Sequence, residues 1–93
     1  MVIGSAEVTL RCPWVTSLKE KRMVIKSLCS RVTNKFNVSA AEVGMQDDLK
    51  TIVVGFACVS NEYVHAENTV EKVLSFIAGA TDAEIIDILT HYD

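Results

Sequence analysis

The sequence contains few residues that break regular structure: its 93 residues include one proline and four glycines, and aromatic side chains make up 6%. No Pro/Gly-rich or low-complexity stretch interrupts it, which excludes collagen-like and disordered classes. Hydrophobic residues make up 49% of the chain, enough for one modest core. We therefore expect a single domain over residues 1–93.

Long apolar runs are also missing. No stretch approaches the roughly 20 apolar residues that a membrane-spanning helix requires. The first ten residues, "MVIGSAEVTL", have no basic segment before an apolar one, so no secretory signal is expected. These absences predict a cytoplasmic protein with no membrane partner.

The three cysteines, Cys12, Cys29 and Cys58, are widely spaced and form no CxxC pair. No histidine pair has zinc-ligand spacing, so neither a metal nor a cofactor is predicted. We expect buried thiols in a reducing compartment. No Ser-His-Asp or Cys-His set is readable either, so the sequence offers no catalytic residue.

Regular patterns predict a βαββαβ order. Apolar residues alternate over 2–12, as in a strand with one buried face. Ser17 and Glu20 form an S-x-x-E capping box that predicts a helix over 18–35. Further strands are predicted at "NVSAAEVGM", "TIVVGFACV" and "AEIIDILTHY", with a second helix between "SNE" and Gly79. This is the ferredoxin-like α+β arrangement, a four-stranded antiparallel sheet with two helices on one face.

Positive charge is concentrated at the start of the first predicted helix, although the net charge is −3. The cluster consists of Lys19, Lys21, Arg22 and Lys26. Cations in a first turn oppose the helix dipole, and such departures from local stability are commoner at functional sites. We interpret the cluster as an anion site, with RNA phosphates as the expected ligand. The competing interpretation is a solvated face on which Lys21 lays its stem over the edge of the core.

Asn61 is a further candidate residue for this anion site. Because the helices follow strands one and three, we expect their first turns to be neighbours. Asn61 would then either cap the second helix or turn its amide toward a ligand beside Arg22. His65 is expected on the polar side of that helix, as plain surface or as a phosphate contact.

Three segments, "SLKEKR" (17–22), "FNVSAAEVG" (36–44) and "GFACVSN" (55–61), resemble in order and spacing the YlxP-like family of bacterial domains of unknown function. The resemblance covers nearly the whole chain. It implies a ferredoxin-like fold and a gene often found among translation and ribosome-maturation genes, hence a role with RNA or ribosomes. It implies no catalytic residues.

The face of the sheet without helices provides a second candidate surface. One alternation exposes Val53, Ala57 and Val59 there, an apolar patch of the kind that marks interfaces. The other alternation would expose Ile52, Val54, Phe56 and Cys58. With the first alternation no aromatic residue lies there, so base stacking of the kind seen in RNA-recognition motifs is not expected.

Three functions follow, in decreasing order of weight. The first is a non-enzymatic module that binds RNA or a ribosomal particle through the basic helix start, without reading DNA sequence. The second is a homodimeric protein-interaction or small-ligand domain that acts through its sheet face. The third is an acylphosphatase-like hydrolase, an analogy of fold alone, since "CPWVTSLKEKR" lacks the glycine-rich loop of those enzymes.

Overall fold

The computed structural model describes residues 1–93 and confirms the predicted order of elements. The chain folds into six elements in the order β1-α1-β2-β3-α2-β4: β1 (Val2–Arg11), α1 (Leu18–Lys35), β2 (Ser39–Gly44), β3 (Thr51–Ser60), α2 (Tyr63–Ala80) and β4 (Glu84–Tyr92). The four strands form one sheet in the order β2-β3-β1-β4, and every neighbouring pair is antiparallel.

The helices cover one face of this sheet. α2 packs over β1 and β3, whereas α1 packs mainly over β2. Gly4 allows the close approach of α2, since an added Cβ would meet Val70 Cγ2 at 3.1 Å and Ala66 Cβ at 3.2 Å. Of the two alternations considered for β3, the structure has the one that turns Val53, Ala57 and Val59 to the open face. The helix side buries the other four residues, namely Ile52, Val54, Phe56 and Cys58.

The start of α1 follows from its capping box. Ser17 Oγ accepts the N–H of Glu20 at 3.1 Å, and Glu20 Oε1 accepts the N–H of Thr16 at 2.8 Å. Ser17 thus satisfies one of the donors that a helix start leaves free, and Glu20 holds the backbone of the residue before the cap. The observed helix has the predicted bounds, Leu18–Lys35.

The expected neighbourhood of the two helix starts is wrong. β1 runs antiparallel to β3, with Val2 opposite Ser60 and Arg11 opposite Thr51. α1 follows Arg11, so it begins at one end of the sheet, while α2 follows Ser60 and begins at the other. A ten-residue strand is about 30 Å long. Asn61 is therefore separated by about the length of the sheet from the basic cluster.

Neither helix combines the length and apolar character that crossing a membrane requires.

Candidate anion-binding surface at the start of α1

Lys21 lies inside the protein, although it belongs to the basic cluster in the sequence. Only 2% of its surface is exposed. Its ammonium donates to the carbonyl oxygen of Met45 at 2.7 Å and to that of Asp48. It also lies 3.3 Å from Glu42 Oε2, at an angle that makes no hydrogen bond, so that contact is Coulombic. The charge of Lys21 is thus satisfied by the protein itself.

These contacts hold the loop between β2 and β3 against α1. Met45 has a φ of 53°, an uncommon conformation for a residue other than glycine. Asp48 Oδ1 accepts the N–H groups of Lys50 and Thr51 at 2.8 and 3.0 Å. The Lys50 hydrogen bond above all, with the Thr51 bond and the Lys21 charge, holds the pKa of Asp48 below its usual value of 3.8.

Lys50 is a second lysine whose charge is used within the protein, a role that its place in the sequence did not predict. Its ammonium donates to the carbonyl oxygens of Pro13 at 2.6 Å and Val15 at 2.9 Å. The Lys50 carbonyl in turn accepts the N–H of Cys12 at 2.7 Å. Lys50 thereby fixes the loop between β1 and α1. A single base two residues after the acidic pair "DD" was the one sequence signal available.

The remaining three cations, Lys19, Arg22 and Lys26, are exposed on one side of α1 and are called the α1 basic face below. Their spacing of three and four residues places them together on the helix surface. None of them lies within 4.0 Å of an acidic oxygen, since the ion pairs of the structure are Lys21–Glu42 and His65–Glu62. The structure therefore brings three cations together, and none of them has an acidic side chain within ion-pair distance.

A cleft of about 360 Å³ adjoins this face, between the start of α1 and the loop after β2. Arg22 lines its rim together with Gln46 and Asp47, and Glu42 lies at its floor beside Lys21. The two acids lower the positive potential inside the cleft. An anion would accordingly contact the outer side of the α1 basic face rather than enter the cleft.

Asn61 neither joins this surface nor caps α2. The N-cap residue of α2 is Glu62, whose side chain makes no capping hydrogen bond. Ser60 Oγ accepts the N–H of Glu62 at 3.1 Å, so the serine orders this turn. His65 is exposed, with Nε2 3.8 Å from Glu62 Oε2. Both residues belong to the opposite end of the molecule.

The three predicted interface residues lie on the open face of the sheet. Val59 is 68% exposed, while Val53 and Ala57 are half-buried by their neighbours. A shallow groove beside them has small residues along its floor, including Ser5, Ala41 and Gly55. Since Gly55 has no side chain, Val43 can lie over it. β1 and β3 present no phenylalanine, tyrosine or tryptophan ring on this face for a base to stack on.

The side chains that could ligate a metal ion are dispersed in this structure, and the cysteines are buried or half-buried. No three His, Cys, Asp or Glu side chains are placed to hold a metal ion. Cys12 and Cys58 are buried, and Cys29 is half-buried. Burial raises the pKa of the Cys12 and Cys29 thiols, which disfavours the reactive thiolate.

Comparison with known proteins places the chain in a family. Residues 3–90 match the sequence model of the family described as "Protein of unknown function (DUF503)", and the chain belongs to that family. It is 42% identical over 83 residues to the "Uncharacterized protein YlxP" of Bacillus subtilis (strain 168), covering 89% of this chain and 90% of that protein. The predicted resemblance to YlxP-like domains is confirmed.

Among solved structures, the chain resembles the "De novo designed protein Foldit4", with a TM-score of 0.52 and 16% sequence identity. The match covers 97% of this chain and 94% of the designed one. At this identity the likeness concerns the fold alone.

Proposed function

We propose that this member of the DUF503 family is a binding module without catalytic chemistry, and that it docks on structured RNA, such as a ribosomal particle, through the α1 basic face. The observation that carries the proposal is the set of three exposed cations without acidic partners. Exposed lysine and arginine bind phosphates without reading sequence.

The charge distribution supports a local contact rather than a general coating of nucleic acid. The net charge is −3, and from Phe36 onward the sequence contains ten acidic residues and only two basic ones. Acidic surface elsewhere repels phosphate, so that only one orientation of the domain would bring the α1 basic face to RNA. The resemblance to proteins encoded near translation genes makes the ribosome the first partner to test.

Co-sedimentation with separated ribosomal subunits tests this function. The wild-type chain is expected to pellet with one subunit at low salt and to dissociate as salt rises, because counterions compete for phosphate. Arg22→Glu/Lys26→Glu should abolish pelleting at low salt, since repulsion replaces attraction at two of three contacts.

The matched control is Lys35→Glu/Lys72→Glu, which lowers the net charge by the same four units. Both lysines are exposed, and both line a shallow depression formed by the late turns of α1 and the middle of α2, away from the α1 basic face. This variant should keep most of the binding. Equal behaviour of the two double variants, or wild-type protein that stays in the supernatant at low salt, would refute the proposal.

A second candidate function is homodimeric association of the chain through the open face. The exposed Val59 side chain on an otherwise small-residue surface favours it. Val59→Asp should then abolish the complex while the fold is retained, because the residue is 68% exposed. A molar mass that is the same for wild type and variant at all concentrations would contradict this candidate.

A further inference from the structure

β4 is an edge strand with apolar side chains exposed on both of its sides. Ile88 points to the helix side and is 41% exposed, because α2 packs over β1 and β3. Leu89 points to the open side and is 60% exposed, and Ile86 is 50% exposed. Long edge strands with such side chains promote association unless they are covered. β2, the other edge, is shorter, with six residues against nine in β4. Each edge has one irregularity in register, after Glu42 in β2 and between Ile85 and Asp87 in β4.

The backbone of β4 is also free to pair. Ile3 and Asp93 exchange both of their backbone hydrogen bonds, each 2.9 Å long. In an antiparallel ladder such pairs alternate, so His91 opposite Ser5 and Leu89 opposite Glu7 also face β1. The N–H and C=O groups of the residues between them, Ile88 and Thr90, consequently point outward along the edge.

We propose that a second copy of this chain covers this edge, with the two β4 strands paired antiparallel about a two-fold axis at Leu89. This axis sets Ile88 opposite Thr90 of the second copy, and both residues have outward backbone groups. The two sheets would join into one of eight strands. The second copy would cover the apolar side chains on both sides of β4 at once.

Complementarity between Asp87 and His91 selects this axis. Asp87, Leu89 and His91 lie on the open side of β4, opposite Thr9, Glu7 and Ser5 of β1. A two-fold axis at Leu89 sets Asp87 of each copy opposite His91 of the other, in non-hydrogen-bonded pairs whose side chains are closest. An axis at Ile88 would set Asp87 opposite Leu89 instead and would leave His91 without an acidic partner.

This association does not depend on the proposed RNA contact. α1 packs mainly over β2, at the edge of the sheet farthest from β4. The two α1 basic faces would therefore lie at the outer edges of the dimer and stay accessible. A variant of β4 can lose self-association and still pellet with RNA.

Sedimentation equilibrium over a wide concentration range tests the pairing. The wild-type chain should approach twice its 10.2 kDa mass as concentration rises. Leu89→Lys should weaken association at least tenfold, since it places two ammonium groups at the axis. His91→Asp should do the same, because it sets carboxylates opposite each other. The swap Asp87→His/His91→Asp should restore the dimer, because every pair again joins an acid and a histidine.

The control is Val59→Asp on the open face, which should leave the mass unchanged if β4 forms the contact. A wild-type chain that stays monomeric throughout the range overturns the proposal. So does a dimer that survives Leu89→Lys but not Val59→Asp. If Leu89→Lys fails to fold by circular dichroism, the charge swap decides: failure to restore the dimer refutes the axis at Leu89.

Discussion

The inner and outer sides of α1 carry the same charge in two different environments. On the inner side, Lys21 donates to two loop carbonyls and lies beside the carboxylate of Glu42. On the outer side, Lys19 and Arg22 are neighbours of Lys21 in sequence, yet they face solvent and have no acidic partner. A cation that the protein surrounds with oxygen atoms supports the fold, whereas a cation without such partners is available to a ligand. The residue type is the same in both cases.

This comparison changes how the basic motif is tested. Reversing the charge of Lys21 would place a carboxylate beside Glu42 and two carbonyl oxygens in the interior, so the expected result is unfolding. Loss of RNA binding in such a variant would carry no information about the surface. Variants of the α1 basic face avoid this problem because their side chains are exposed.

The largest effect is expected for Lys21→Met. The substitution keeps most of the side-chain volume but removes the donor, which leaves Glu42 and the carbonyls of Met45 and Asp48 buried without it. Removing one partner of a fully buried ion pair costs about 3–5 kcal/mol of unfolding free energy. The Glu42 side chain is 21% exposed, so we expect a loss at the low end of that range. Urea denaturation followed by circular dichroism measures the loss.

Lys26→Met is the control on the outer side of the same helix. Surface substitutions of this kind change the unfolding free energy by about 0.5 kcal/mol or less. Similar losses in the two variants would contradict the distinction between the inner and outer cations.

Local patterns in the sequence predicted the elements well. The capping box fixed the start of α1 because Ser17 and Glu20 bond to backbone within four residues. The sequence predicted that β3 is a strand, but it did not predict which set of alternate residues faces the helices, since both faces of β3 are apolar. Contact with the helices decided that Ile52 and Phe56 are buried while Val53 and Val59 face outward.

The roles of individual cations could not be predicted in the same way. The carbonyl partners of Lys21 lie 24 and 27 residues later in the chain, in a loop with no distinguishing pattern. Its spacing from Leu28 and Val32 does place it on the buried stripe of α1, and this was the available signal. Asn61 was misplaced although the predicted fold already implied its position, because β1 and β3 are antiparallel neighbours and the helices that follow them begin at opposite ends of the sheet.

Lys19→Glu on the outer side of α1 is expected to change the unfolding free energy by less than Lys21→Met does, and in the stabilising direction. Lys19 lies in the first turn of α1, where a cation opposes the helix dipole. Lys19→Glu should therefore raise the unfolding free energy by about 0.3–1 kcal/mol at low salt. It should also weaken pelleting with the ribosomal subunit. A gain in stability together with a loss of binding is the result expected when a residue is placed for a ligand rather than for the fold.

The same substitution at the other end of α1 is the matched control. Lys35 is the basic residue of the last turn, where a cation is favourable, and it also lies over the rings of Phe36 and Phe76. Lys35→Glu should accordingly lower stability and leave pelleting unchanged. A loss of stability in both variants would show that Lys19 supports the fold.

The smallest effect concerns the loop held by Lys21. The hydrogen bond from the Lys50 N–H is the main reason that the pKa of Asp48 lies below 3.8. Because the folded pKa lies below the unfolded one, the ionised carboxylate stabilises the fold above about pH 4. That contribution is lost as pH falls through the folded value.

Asp48→Asn keeps an oxygen that can accept both N–H groups but removes the titrating charge. Wild type should be slightly more stable than the variant at pH 6, and the difference should shrink as pH falls below about 4 and the carboxylate takes up its proton. Urea denaturation across this range measures it, with Asp47→Asn at the exposed neighbour as the charge-matched variant. A difference between wild type and Asp48→Asn that is constant with pH would mean that the charge of the Asp48 carboxylate does not contribute to stability.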